Sequence, residues 1–227
     1  MVGSTLRRIG VGLLLIGATY TPSAQATLPN AADHSIAQFL KQDDAQHPYR
    51  ALRRLEAVNG SRSGWLEAMT EYSPATGFQY QITGEGGSGY IRDKVLRGVL
   101  EGEREAIAKG EIARSSIDRA NYAFQAIGLD AEGLANVLLS PRRKDRTLVD
   151  GTIFLTPTDG DLVRLKGRLA KSPSFWIKNV NIVRSYQRMG DAVVPVSLES
   201  TADVWLLGPA TLRMTYEYSE IDGRPID

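Results

Sequence analysis

The chain has 227 residues, a mass of 24.8 kDa, 42% hydrophobic and 23% charged residues, and a formal net charge of +1. It contains no cysteine, which excludes a disulfide framework, a thiolate nucleophile, a cysteine zinc site and a lipid-modified cysteine. The balance of 27 basic against 26 acidic residues leaves no global field for nucleic acid, and the composition is that of a folded chain.

The first 26 residues have the layout of a secretory signal. Arg7 and Arg8 make a basic start, Ile9 to Ala18 an apolar run, and Ala24-Gln25-Ala26 a small-residue cleavage site. The apolar run is far shorter than the roughly 20 residues that cross a bilayer. The flanks of the arginine pair fit the twin-arginine pattern poorly, so ordinary secretion and a mature chain starting near Thr27 are expected. Cleavage would remove two arginines and no acid, taking the net charge from +1 to −1. With no cysteine at the site, a soluble periplasmic protein is expected, with residues 27–227 forming one domain that buries roughly 70% of its unfolded surface.

In chain order, Ser35 to Lys41 places Ile36, Phe39 and Leu40 at helical spacing. Pro48 is suited to open a second helix, with Leu52, Leu55 and Val58 as its stripe and Asn59-Gly60 as its end. Strands follow at Trp65 to Tyr72 and around Phe78, Tyr80 and Ile82. A third helix is predicted from Tyr90 to Ala108, and a fourth from Ala131 to Leu139 with Asp130 as N-cap. From residue 147 the period becomes two. Residues 147–156, 161–170 and 177–188 read as strands, and two long alternating runs follow. These are Val194 to Leu206 and Ala210 to Tyr218, joined at Gly208-Pro209 as antiparallel neighbours. Pro195 lacks a ladder donor and marks an edge or a bulge. The reading is α+β: a large curved antiparallel sheet of eight or nine strands, apolar on one side and covered there by the N-terminal and inserted helices.

The secretory start, the order of elements and the C-terminal half resemble the superfamily of LolA-type periplasmic lipoprotein-sorting proteins, with the sigma-factor regulator RseB and mycobacterial lipid-binding lipoproteins. The likeness covers most of residues 48–224. It is carried by Gly87-Ser88-Gly89 before the helix bearing Val95-Leu96, by Asp161 to Ala170, by Lys171-Ser172-Pro173-Ser174-Phe175-Trp176, and by Met214-Thr215-Tyr216. It implies an unclosed half-barrel with helices as a lid, around a hydrophobic cavity for acyl chains or a partner peptide. It implies no catalytic residue and no cofactor.

The remaining motifs have plain readings. Gly84 to Gly89 matches GxGxxG between a strand and a helix, but no buried parallel strand follows, so a turn or hinge is expected rather than a dinucleotide site. Asp33 with His34, and Asp43 with His47, lack a third convincing ligand for a metal. No Gly-x-Ser-x-Gly elbow occurs. Glu101, Glu105 and Lys109 suit a solvated helix face. The basic cluster Arg142, Arg143, Lys144 and Arg146 is either a solvated loop or a contact for anionic headgroups or an acidic partner. Phe78, Tyr80, Leu212, Met214 and Tyr216 fill the core or wall a cavity, while Phe175 and Trp176 plug the rim or meet a ligand there. The function expected is non-enzymatic: a monomeric carrier for a lipid, acyl chain or lipoprotein with transient membrane contact, and no nucleic acid. The alternatives are an interaction or sensor module with a filled core, and, less favoured, a hydrolase.

Overall fold

The computed structural model describes residues 31–42 and 46–226, so the secretory segment and Asp43 lie outside the described residues. One helix, α1 (Ala31–Phe39), precedes three strands, β1 (Tyr49–Asn59), β2 (Arg62–Ser73) and β3 (Gly77–Gly87). A π-helical segment (Ile91–Leu96) runs straight into α2 (Arg97–Ala108), and a short 3-10 turn (Ile112–Arg114) follows. The rest is β: β4 (Tyr122–Leu129), β5 (Ala135–Pro141), β6 (Val149–Leu155), β7 (Leu162–Leu169), β8 (Ile177–Met189), β9 (Ala192–Val204), β10 (Gly208–Ile221) and the two-residue β11 (Arg224–Pro225).

All pairings are antiparallel and form one eleven-stranded sheet in the order β3-β2-β1-β10-β9-β8-β7-β6-β5-β4, with β11 on β10. The chain thus runs as two meanders, β1 to β3 and β4 to β10, joined where β1 pairs β10. The free edges are β3 and β4, which are neighbours in sequence but lie at opposite ends of the sheet, so the half-barrel stays open.

The buried side chains form two clusters on this sheet. Under the long helix, Leu55, Leu66, Phe78 and Met214 pack with Ile91, Leu96 and Leu100. At the other end Ala32 and Ile36 of α1 pack with Tyr122, Val137, Leu139, Ile153 and Leu155. Burial of each large aliphatic side chain contributes about 1.5–3 kcal/mol. Tight glycine contacts shape the second half. Gly151 and Gly167 face each other across β6 and β7, where a side chain on either would run into the opposite backbone. Gly160, at φ +72°, lets the β6–β7 turn touch the α1 backbone.

Two predicted helices are strands. The segment from Pro48 to Asn59 forms β1 from Tyr49 on, because Ala51, Arg53, Leu55 and Ala57 alternate inward with period two while both edges of the strand are hydrogen-bonded, to β2 and β10. Helix-favouring Leu, Arg and Ala residues yield here to tertiary pairing. Residues 131–139 form a turn and β5; the Asp130 carboxylate accepts from the Glu132 and Leu134 amides, but closes the β4–β5 hairpin instead of capping a helix. The sheet has eleven strands where eight or nine were expected: the seven segments read as strands all form, and β1, β4, β5 and β11 had no assigned segment. The β9–β10 turn is Trp205 to Leu207, and Gly208-Pro209 already belongs to β10. The helix at 90–108 and the C-terminal strands form as predicted, and Pro195 sits at a bulge, where Ser185 pairs Ser197 and Tyr186 pairs Pro195.

Candidate ligand cavity

The period-two pattern places one row of side chains across the inner face of the sheet. Following the registers, it reads Leu66, Leu55, Met214, Leu198, Arg184, Leu165, Ile153, Val137 and Ala126. From Leu66 to Ala126 every member is apolar except Arg184; beyond Leu66 the register reaches Glu85 of β3, which pairs with Arg92 and Arg97. On β8 the same face continues as Ile182, Arg184, Tyr186 and Arg188, and all four line a cavity of about 990 Å³. Leu162, Leu165 and Leu169 of β7, with Val193 and Pro195 of β9, extend the wall. Phe39 and Leu40 close it from the end of α1, and Ile112 to Asp118 from the segment between α2 and β4. The volume lies at the upper end of the roughly 300–1,000 Å³ typical of ligand sites.

The two β8 arginines have different surroundings. Arg188 donates from Nε to Asp161 at 2.6 Å, and Gln42 donates to the same carboxylate at 3.0 Å, tying the end of α1 to β7 and β8. The Arg188 hydrogen bond holds the Asp161 carboxyl below its usual range. Arg184 makes no ion pair with any described residue, and its buried Nε has no hydrogen-bond partner. It is half-buried, with the Tyr186 phenol alongside and the Glu103 carboxylate acting at longer range. Arginine keeps its charge under all physiological conditions, so this is a cation without an ion-pair partner, set beside the apolar β7 wall of the cavity.

A second interior arginine has its charge paired, although its Nε, like that of Arg184, has no hydrogen-bond partner. Arg53, 2% exposed, donates to both carboxylate oxygens of Glu103 on α2, at 2.6 and 3.0 Å, and to the Tyr49 hydroxyl. Its guanidinium also lies 4.7 Å from the Tyr216 ring centre, 4.9 Å from Phe78 and 5.6 Å from Tyr49. Phe78 and Tyr216 therefore enclose Arg53 in the cluster below the long helix, together with Met214 and the half-buried Leu212. Tyr80 donates to Glu101. None of these five anticipated residues lines the cavity.

The basic loop divides. Arg142 donates to the Arg119 and Tyr122 carbonyls, and Arg143 to Asn121, Asp145 and the Arg114 carbonyl, so both brace the loop. Lys144 is exposed; Arg146 is exposed as well and borders the cavity. Arg114 and the Thr147 amide hold the Asp145 carboxyl well below its ordinary value. At the rim of the sheet, Phe175 and Trp176 are 71% and 44% exposed; Phe175 lies tilted against Trp176, which stacks on Trp205, beside Leu206 at 83%.

Among the described residues no cluster of acids and histidines could hold a metal; His47 lies outside any helix and pairs with Asp222 at 2.9 Å. The GxGxxG segment is largely strand, and its glycines serve close packing. A side chain at Gly86 would meet the Trp65 indole, and one at Gly87 the Ser63 carbonyl.

Arg184 and Arg53 are the two inner-face residues that the sequence reading overlooked. Each carried a signal: Arg184 occupies the apolar register between Ile182 and Tyr186, and Arg53 that between Ala51 and Leu55. The chain matches no family model, no curated protein and no solved structure.

Proposed function

We propose that this is a non-enzymatic binding protein that takes an apolar, acyl-containing ligand into the cavity between β6–β9, α1 and the segment before β4. The single observation that supports this reading is the chamber of about 990 Å³, bordered by Phe39, Leu162, Leu165, Leu169 and Ile182 within an unclosed sheet. An acyl chain moved from water into such a wall gains about 0.8 kcal/mol per methylene. The end of α1 and the segment between α2 and β4 act as the cover, and the likeness in sequence to LolA-type carriers agrees with a ligand chamber. A periplasmic setting follows from the secretory layout of residues 1–26. The rim aromatics Trp176 and Trp205, with Leu206, suit brief contact with a membrane interface during uptake or delivery, where tryptophan is enriched.

The test is native mass spectrometry of the secreted protein with lipid extraction, alongside titration with a fluorescent fatty acid. Co-purifying lipid or saturable uptake is expected. Protein that is always empty and takes up no probe refutes the reading. A second reading, a protein-interaction module, is favoured by the same exposed patch of Phe175, Trp176, Trp205, Leu206 and Leu207. Crosslinking that captures a stable protein partner, with no lipid present, would select it.

A further inference from the structure

We infer that the ligand is anionic: an apolar chain ending in an oxyanion, carboxylate or phosphate, which pairs with Arg184. This rests on the cavity being a ligand site and specifies its chemistry. A neutral guest, such as the ester- and amide-linked chains of a lipidated protein, would leave the cation as it is.

Three observations converge on Arg184. It is the one polar member of the row that runs from Leu66 to Ala126 across the inner sheet face. It lines the cavity and makes no ion pair with a described residue; its Nε lacks a hydrogen-bond partner, the Tyr186 phenol lies alongside, and the Glu103 carboxylate, committed to Arg53, acts on it only at longer range. Arg53 and Arg188, by contrast, each hold a carboxylate directly, that of Glu103 and that of Asp161. A half-buried charge without an ion-pair partner is unfavourable unless another group replaces its lost hydration. The apolar wall of Leu162, Leu165 and Ile182 lies beside it, so a chain and an oxyanion are accommodated together. A guanidinium matches both carboxylate and phosphate through two parallel hydrogen bonds, and the Tyr186 phenol beside it on β8 can share the oxyanion. The two acids that border the cavity are engaged elsewhere: Asp191 pairs with Arg224, and Asp118 accepts from the Asn121 amide.

The experiment compares delipidated wild type and Arg184→Met, using palmitate, methyl palmitate and a monoacyl phosphate in displacement of a neutral fluorescent acyl probe. Wild type is expected to prefer palmitate or the monoacyl phosphate over the methyl ester by about tenfold or more. Arg184→Met abolishes that preference while retaining the ester. The variant folds, since it removes an unpaired charge and keeps an unbranched side chain, and circular dichroism with thermal melting checks this. Arg184→Lys retains the charge and so part of the preference. If only one of the two oxyanions is preferred, the headgroup is thereby identified. Equal binding of acid and ester by wild type, or a preference that survives Arg184→Met, overturns the inference and leaves the cavity reading standing. Failure of every probe to bind folded wild type removes the cavity reading itself.

Discussion

Removing the Glu103 carboxylate isolates a cation that the sheet has buried. Arg53 is 2% exposed and donates to both carboxylate oxygens, whereas the Glu103 side chain retains 29% exposure, so the larger penalty falls on the arginine when the pair is broken. Breaking a buried pair by deleting one partner costs about 3–5 kcal/mol. The rings of Tyr216, Phe78 and Tyr49 remain over the guanidinium and each offsets roughly 0.5–1 kcal/mol. Glu103→Ala should therefore fall near the lower end, about 3 kcal/mol. In urea, with a slope of about 1–3 kcal/mol per molar, the midpoint drops by roughly 1–3 M at an unchanged slope. Pairing Glu103→Leu with Arg53→Met replaces both charges by apolar groups of similar length, and should return to within about 1 kcal/mol of wild type. A single variant that loses less than about 1 kcal/mol, or a double variant whose loss equals the sum of the singles, would refute this account of how the long helix is held to β1.

Gly167→Ala would drive a methyl into the Gly151 and Asp150 backbone and is expected to destabilise by about 1–3 kcal/mol, read by thermal melting against a control in open space such as Gly102→Ala. Gly160→Ala meets the Phe39 and Ser35 backbone of α1 at a positive φ; accelerated hydrogen exchange confined to α1 and the β6–β7 turn is the expected readout. Asp145 and Asp161 both titrate below the ordinary carboxylate range in the folded state. Their stabilisation is thus complete above about pH 5 and is lost as pH falls below about 4 towards the lowered folded values. Asp145→Asn should lower stability at pH 7 by about 1–3 kcal/mol and flatten its decline towards pH 3, measured by denaturant unfolding at both pH values.

How much was legible beforehand depended on whether local pattern and tertiary pairing agreed. In β9 and β10 the alternation Val194 to Leu206 and Ala210 to Tyr218 has one reading, and the strands form where it places them. In β1 two periods coexist in the same residues: Leu52, Leu55 and Val58 suggest a helix, and Ala51, Arg53, Leu55 and Ala57 a strand. The pairing with β10 that decides between them comes from the far end of the chain. Asp130 illustrates a subtler limit. Its side chain does capture backbone amides, but such capture serves hairpin turns as readily as helix starts. The cavity was implied by a resemblance, whereas its wall was not identifiable. Phe78 and Met214 have the same apolar, inward-facing pattern as Leu165 and Ile182, and only the position of the helix separates filled core from open space. Arg184 was obscured because strand recognition averages over a run and tolerates one charge within it.

The seam between β1 and β10 also bears on how the chain reaches this state. Every other major pairing joins strands adjacent in sequence and can form by local hairpin closure, but Tyr49 must find Ile221 across nearly the whole length of the protein. Closing so long a loop spends chain entropy before any contact at the seam is gained, and such topologies fold in milliseconds to seconds rather than microseconds. Until then each meander presents an unpaired central strand with one apolar face. The interval before the seam closes is the one in which this protein is most exposed to aggregation, and substitutions along β10 should slow folding more than those along β3.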